Sequence, residues 1–203
     1  MDSIIFDLDG TIWDPIDTVL LAWNSHLEKS GERQLIRPDF EGTMGLQMDE
    51  IGRRLFPHLD DEERTQLISD ACDIEEDFIK KHGGQLFPEV EAVLKELAGR
   101  YKLFIVSNCQ DGYIEAFYEA HGLEPHFIDY ENPGRTGLSK GENIQLIIDR
   151  NDLKDPVYVG DTEGDMNAAR QAGIPFVYAK YGFGQVTEYD EVIENFNDLL
   201  KLY

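Results

Sequence analysis

Four short apolar runs, Ile4-Ile5-Phe6, Leu103-Phe104-Ile105-Val106, Val157-Tyr158-Val159 and Phe176-Val177-Tyr178, are rich in β-branched and aromatic residues and show no polar alternation. That is the pattern of strands buried on both faces. Between them the spacing turns helical. Val90, Val93, Leu94 and Leu97 recur at i, i+3, i+4 and i+7, and Ile144, Ile147 and Ile148 repeat the stripe with Asn143 and Asp149 beside it. Strands alternating with helices predict an α/β fold with a parallel sheet of βα units. From about Pro15 to Phe87 the alternation stops. No strand pattern stands out there, whereas helix-like spacing such as Leu67, Ala71, Ile74, Phe78 does. The prediction is a helical domain at 15–87 inserted into a core made of 1–14 and 88–203. Its hinges are expected at Asp14-Pro15, a good N-cap followed by proline at the first helical position, and at Gly83-Gly84.

The 203 residues, 41% of them hydrophobic, suffice for one good-sized core plus a smaller domain. No apolar run approaches the roughly 18–20 residues of a membrane span. Met1-Asp2-Ser3 leads straight into Ile4 without a charged leader region. A cytoplasmic protein with no membrane partner is therefore expected. Cys72 and Cys109 lie far apart and form no C-x-x-C, which favours two unpaired thiols over a disulfide or zinc knuckle. A net charge of −23 opposes nucleic-acid binding, since that affinity comes mainly from Lys and Arg. It also repels small anions, so a phosphate site must bring its own cation.

Candidate chemistry sits just after the strand-like runs, where open parallel sheets bind ligands. Asp7-Leu8-Asp9-Gly10-Thr11 follows the first run. Strand alternation sends Asp7 and Asp9 to one side, one able to attack and the other to transfer protons, while Gly10 lets backbone N–H groups approach an anion. A plain Asp-Gly turn would look the same. Gly160-Asp161-Thr162-Glu163-Gly164-Asp165 offers two more carboxylates to a hard cation such as Mg²⁺, although Thr162-x-x-Asp165 also satisfies a helix-capping pattern. Ser139 and Glu142 form a capping box that places Lys140 at a helix N-terminus, where the macrodipole disfavours positive charge and an anionic partner would offset the cost. Ser107-Asn108 ends the second run and offers a hydroxyl and adjacent N–H groups to phosphate oxygens, or is simply a turn. The five histidines show no metal-binding spacing.

Together these segments resemble the haloacid dehalogenase-like superfamily, with Asp7-x-Asp9-Gly10-Thr11, Ser107, Lys140 and Gly160-Asp161-x-x-x-Asp165 matching its four motifs in order across essentially the whole chain. The resemblance implies a Rossmann-like core. It identifies the insert with the α-helical cap of the phosphoglycolate-phosphatase and β-phosphoglucomutase branch. By position it implies Asp7 as a nucleophile forming an aspartyl-phosphate and Asp9 as general acid and base, oriented by Thr11. Asp7, the Asp9 backbone carbonyl and Asp161 would hold Mg²⁺ with Asp165 close by. Thr11, Ser107, Asn108 and Lys140 fall among the phosphate-binding positions. The implied activity is hydrolysis of a small phosphorylated metabolite, with a phosphomutase as the alternative and a phospho-aspartate switch domain behind it. Tyr181-Gly182-Phe183-Gly184 is similar to a Gly-aromatic-Gly loop of the branch. Ile12-Trp13-Asp14-Pro15 and Cys109-Gln110 depart from its common residues and are expected to lie clear of the chemical groups. In the cap only the Gly45-x-x-Met48 region matches the specificity loop. Arg53 and Arg54 could meet a substrate anion, but read better as surface ion pairs.

Overall fold

A computed structural model describes residues 1–203. Strands β1 (Ser3–Phe6), β4 (Lys102–Val106), β5 (Asp129–Glu131), β6 (Pro156–Gly160), β7 (Phe176–Ala179) and β8 (Glu191–Ile193) form one sheet in the order β5-β4-β1-β6-β7-β8. Every neighbouring pair is parallel, with Ile4 opposite both Leu103 and Val157. The central strands bury both faces because helices cover both. Ile4, Phe6 and Leu8 join Ile105 and Val159 on one side, against the apolar stripes of α5 (Val90–Ala98) and α6 (Tyr113–His121) and the short α10 (Leu199–Leu202). Ile5, Phe104 and Tyr158 point the other way, toward Ile144 and Ile147 of α8 (Lys140–Arg150) and Ala168 and Ala169 of α9 (Glu163–Ala172). Each such side chain taken fully out of water contributes about 1.5–3 kcal/mol, which is why the uninterrupted apolar runs settle at the sheet centre.

The edge strands β5 and β8 escape the apolar-run criterion, because they are three residues long and acidic. Glu131 of β5 is buried yet paired with Arg150 at 2.6 Å. Acidic, short edges are a usual means of discouraging further strand addition.

The insert comprises α1 (Ile16–Ser30), α2 (Arg37–Glu41), α3 (Met48–Leu55) and α4 (Asp61–His82). Asp60 caps α4 through the N–H groups of Glu62 and Glu63. Leu67 and Ala71 are buried as the expected stripe requires, but the buried face of α4 then continues through Cys72, Glu75 and Ile79, beside Ile68, and leaves Ile74 and Phe78 only partly buried. An acid in the middle of the true stripe hid it. The two chain segments joining insert and core also pair with each other: β2 (Trp13–Asp14) and β3 (Gln85–Leu86) form an antiparallel ribbon where no strand was expected. Asp14 Oδ1 accepts the Ile16 N–H at 3.0 Å, but α1 begins at Ile16 with Pro15, not Asp14, at its N-cap position. The short α7 (Pro133–Thr136) completes the helices, and none is long and apolar enough to cross a membrane.

Candidate active site

Asp7, Ser107 and Asp161 follow the last residues of β1, β4 and β6, three adjacent strands, so their side chains emerge at one edge of the sheet. The Asp7 N–H donates to the Val159 carbonyl at 2.8 Å, which extends strand pairing to the carboxylate-bearing residue. Lys140 opens α8, with Ser139 and Glu142 forming the expected capping box. Its side chain is 5% exposed and its Nζ donates to Asp7 Oδ1 at 2.7 Å and Asp165 Oδ1 at 2.6 Å. Two charge-assisted bonds outweigh the few tenths to about 1 kcal/mol by which the helix dipole opposes a cation there. Burial works to deprotonate Lys140, but Asp165 and Asp7 overcome it and hold the ammonium charged.

The capping and acid-cluster readings of Asp165 both hold. Its Oδ2 accepts the Thr162 N–H at 2.9 Å and hydroxyl at 2.7 Å, while Oδ1 takes Lys140. Asp161 differs. Its Oδ2 accepts N–H groups from Phe183 at 2.6 Å and Gly184 at 3.4 Å, but its Oδ1 is buried with no hydrogen-bond partner. Oxygens of Asp7, Asp161 and Asp165 lie within 4.8 Å of one another. Burial first, then mutual repulsion, raises the affinity of Asp7 and Asp161 for a proton, carrying Asp7 to about 7. Three carboxylates surround one ammonium, and one Asp161 oxygen is left without a partner. A small divalent cation with a preference for oxygen fits this donor set, and Mg²⁺ is such an ion.

Asp9 is half-buried beside the cluster. Trp13 Nε1 and the Tyr113 hydroxyl both donate to its Oδ1, at 2.7 and 3.0 Å. Burial pushes its carboxyl up to about 6 against those two donors. Trp13, expected to stand clear of the chemical groups, is thus in direct contact with one. Thr11 makes no hydrogen bond to Asp9. Its hydroxyl is buried without a partner and its carbonyl accepts the Tyr181 hydroxyl at 2.7 Å. Gly10 also serves otherwise than expected: its N–H is used by the Trp13 carbonyl at 2.8 Å, and its φ of +80° and the close approach of Asp161 and Phe183 are what require a glycine. Ser107 is buried and makes no side-chain hydrogen bond, while Asn108 Nδ2 donates across to the Gly45 carbonyl of the insert at 2.9 Å.

A cavity between insert and core adjoins Asp9 and is lined in part by Gly45, Met48, Glu75, Asn108 and Tyr113. Glu75 was not singled out by sequence, although an acid on the apolar face of a helix was a signal. Burial raises its carboxyl to about 7, opposed by hydrogen bonds from Trp23 and Gln110. Arg53 is turned outward to Asp49 at 2.7 Å, and Arg54 to the Gly42 carbonyl. The Tyr181-Gly182-Phe183-Gly184 loop is the clamp on Asp161.

The family profile described as "Haloacid dehalogenase-like hydrolase" matches residues 4–179. A phosphoglycolate phosphatase of Synechococcus elongatus is 31% identical over 186 residues, covering 90% of this chain and 85% of that protein. One from Vibrio vulnificus is 28% identical over 204 residues, covering 89% and 84%. Among solved structures, a predicted phosphoglycolate phosphatase from Haemophilus somnus superposes with a TM-score of 0.87 at 22% identity, over 100% of this chain and 97% of that one. A haloacid dehalogenase-like family protein from Streptococcus pneumoniae gives 0.82 at 23% identity, over 100% and 98%. The latter two establish likeness of fold.

Proposed function

The chain belongs to the haloacid dehalogenase-like hydrolases, and from that premise we propose that it is a Mg²⁺-dependent phosphatase of small phosphate monoesters in which Asp7 is the nucleophile. The observation that carries this reading is the Lys140 ammonium bonded to both Asp7 and Asp165 beside the partnerless Asp161 oxygen. The lysine supplies the local cation that an anion needs in a protein of net charge −23. Residues 15–87 act as the cap over a core of 1–14 and 88–203, with the β2–β3 ribbon as the joint.

Asp7 attacks phosphorus, forming an acyl-phosphate bond as the bond to the ester oxygen breaks. Asp9 gives its proton to the departing oxygen. Trp13 and Tyr113 both occupy Oδ1, so Oδ2 is the oxygen left to carry that proton. In the second half Asp9 takes a proton from water, the water oxygen bonds to phosphorus, and phosphate leaves as the Asp7 carboxylate is restored. Lys140 and Ser107 bind the oxygens of the phosphoryl group in transit, with Thr11 and Asn108 at the margin of the site. Asp7, Asp161 and the Asp9 backbone carbonyl would hold Mg²⁺ with Asp165 behind them. When bound, Mg²⁺ supplies positive charge that favours attack by one anion upon another. The two free, buried thiols Cys72 and Cys109 accord with a reducing, cytoplasmic setting.

The test is phosphate release from p-nitrophenyl phosphate, with and without EDTA, together with phosphoglycolate, the ester for which the relatives are named. No release from any ester with Mg²⁺ present would refute the reading.

A further inference from the structure

The wall that the leaving group would face carries charge of one sign. The cavity beside Asp9 has Glu75 for its other carboxyl, and neither a lysine nor an arginine lines it. A second pocket, which shares Met48, Asn108 and Cys109 with it, is lined by no cation either, and its one acid, Asp49, is paired with Arg53. The cations close by are engaged elsewhere: Lys140 with Asp7 and Asp165, Arg53 with Asp49, Arg54 with the Gly42 carbonyl and Arg64 with Asp61.

Glu75 is 2% exposed and fixed in place. Trp23 Nε1 donates to its Oε2, and Gln110 Nε2 to its Oε1 at 3.2 Å. A carboxylate has about four acceptor sites, so two remain for a ligand. The cavity is narrow, about 30 Å³ with room for about two waters, which favours a short chain at that place. A second anion on the ester would enter a desolvated space facing an acid, with no counter-charge to meet it.

Building on the phosphatase reading, we propose that the ester this chain is made for has a short leaving group with a hydrogen-bond donor, a hydroxyl or an ammonium, and no second negative charge, and that Glu75 is the cap residue that recognises the donor. The chain thereby parts from the ester in its relatives' names, since glycolate presents a carboxylate at that place.

Three esters of nearly one size separate the cases: 2-hydroxyethyl phosphate, 2-aminoethyl phosphate and phosphoglycolate, with p-nitrophenyl phosphate as reporter of the chemistry. With the wild-type chain and Mg²⁺, at least one donor-bearing ester is expected to exceed phosphoglycolate in kcat/KM by about tenfold or more, which is one decade of discrimination. Glu75→Gln, which keeps the shape and removes the charge, should shrink the ratio of 2-aminoethyl phosphate to phosphoglycolate by a similar factor, mostly through KM. Phosphoglycolate as fast as the donor esters, or turnover of the aryl ester but of none of the three, overturns the proposal. Donor preference that Glu75→Gln leaves unmoved removes Glu75 as the reader. Failure of all four esters instead overturns the phosphatase reading beneath. Because the ranking is read on the wild-type chain, it decides the substrate class even if the variant does not fold.

Discussion

The Phe183 backbone N–H donates to Asp161 Oδ2 at 2.6 Å and so fixes which way the other oxygen of that carboxylate points. The bond is possible because residue 182 is glycine. A methyl there would overlap the Asp161 side chain and the Gly10 carbonyl. Gly182→Ala is therefore expected to lower Mg²⁺ affinity about 10–100-fold, the usual effect of disturbing a ligand's support. Isothermal titration calorimetry measures it, and an unchanged affinity would mean that the loop does not position Asp161.

Asp161 and Asp165 should fail in different ways. Asp161→Asn strikes the carboxylate with a free oxygen, so its main effect should be on the metal requirement. Asp165→Ala removes the partner of Thr162 and one of the two partners of Lys140, and should lower stability by about 1–3 kcal/mol. Urea unfolding without metal and activity against Mg²⁺ concentration distinguish the two. The reverse assignment in both assays would exchange their roles.

Asp7→Asn should abolish turnover, because an amide forms no acyl-phosphate. Asp9→Asn should slow it by about 10²–10⁴-fold on an alkyl ester. The loss on p-nitrophenyl phosphate should be smaller, since a nitrophenolate leaves with little help from an acid. Intact-mass spectrometry after acid quench is expected to find the phosphoryl group on Asp7 in the Asp9 variant. Equal losses on both esters, or a label at another residue, would contradict the division of labour.

Glu75 should make stability depend on pH. Its carboxyl stands at about 7 when folded against an ordinary 4.5, so the folded chain holds that proton more tightly than the unfolded one. The contribution favours folding fully below about pH 4.5 and is lost as pH rises through about 7. No cation lines its cavity, and the titratable groups there, Asp9, Cys109 and Tyr113, do not supply one. Glu75→Gln should then be more stable than wild type at pH 8, by up to about 3 kcal/mol, and equal to it near pH 4. Gln110 can turn its amide to meet the new side chain. A gain of the same size at both pH values would remove titration as the cause.

The alternation of central strands and helices, the helical insert, the carboxylates and serine after the strands and the lysine at a helix start were legible in the sequence. Each is written in local spacing: apolar runs, helical periodicity, and polar groups directly after a strand. What the sequence left unread depends on residues distant along the chain. Trp13 and Tyr113 are 100 residues apart yet meet on Asp9 Oδ1. Asp161 is clamped by a loop 22 residues on, which in sequence is one more glycine-rich turn. Glu75 interrupts an apolar stripe and is stabilised there only by partners from α1 and the loop after β4. Local periodicity marks the elements and, where no polar residue breaks the stripe, their buried face. The hydrogen bonds that orient a carboxylate, and the charges that share its cavity, exist only once the chain has closed around it.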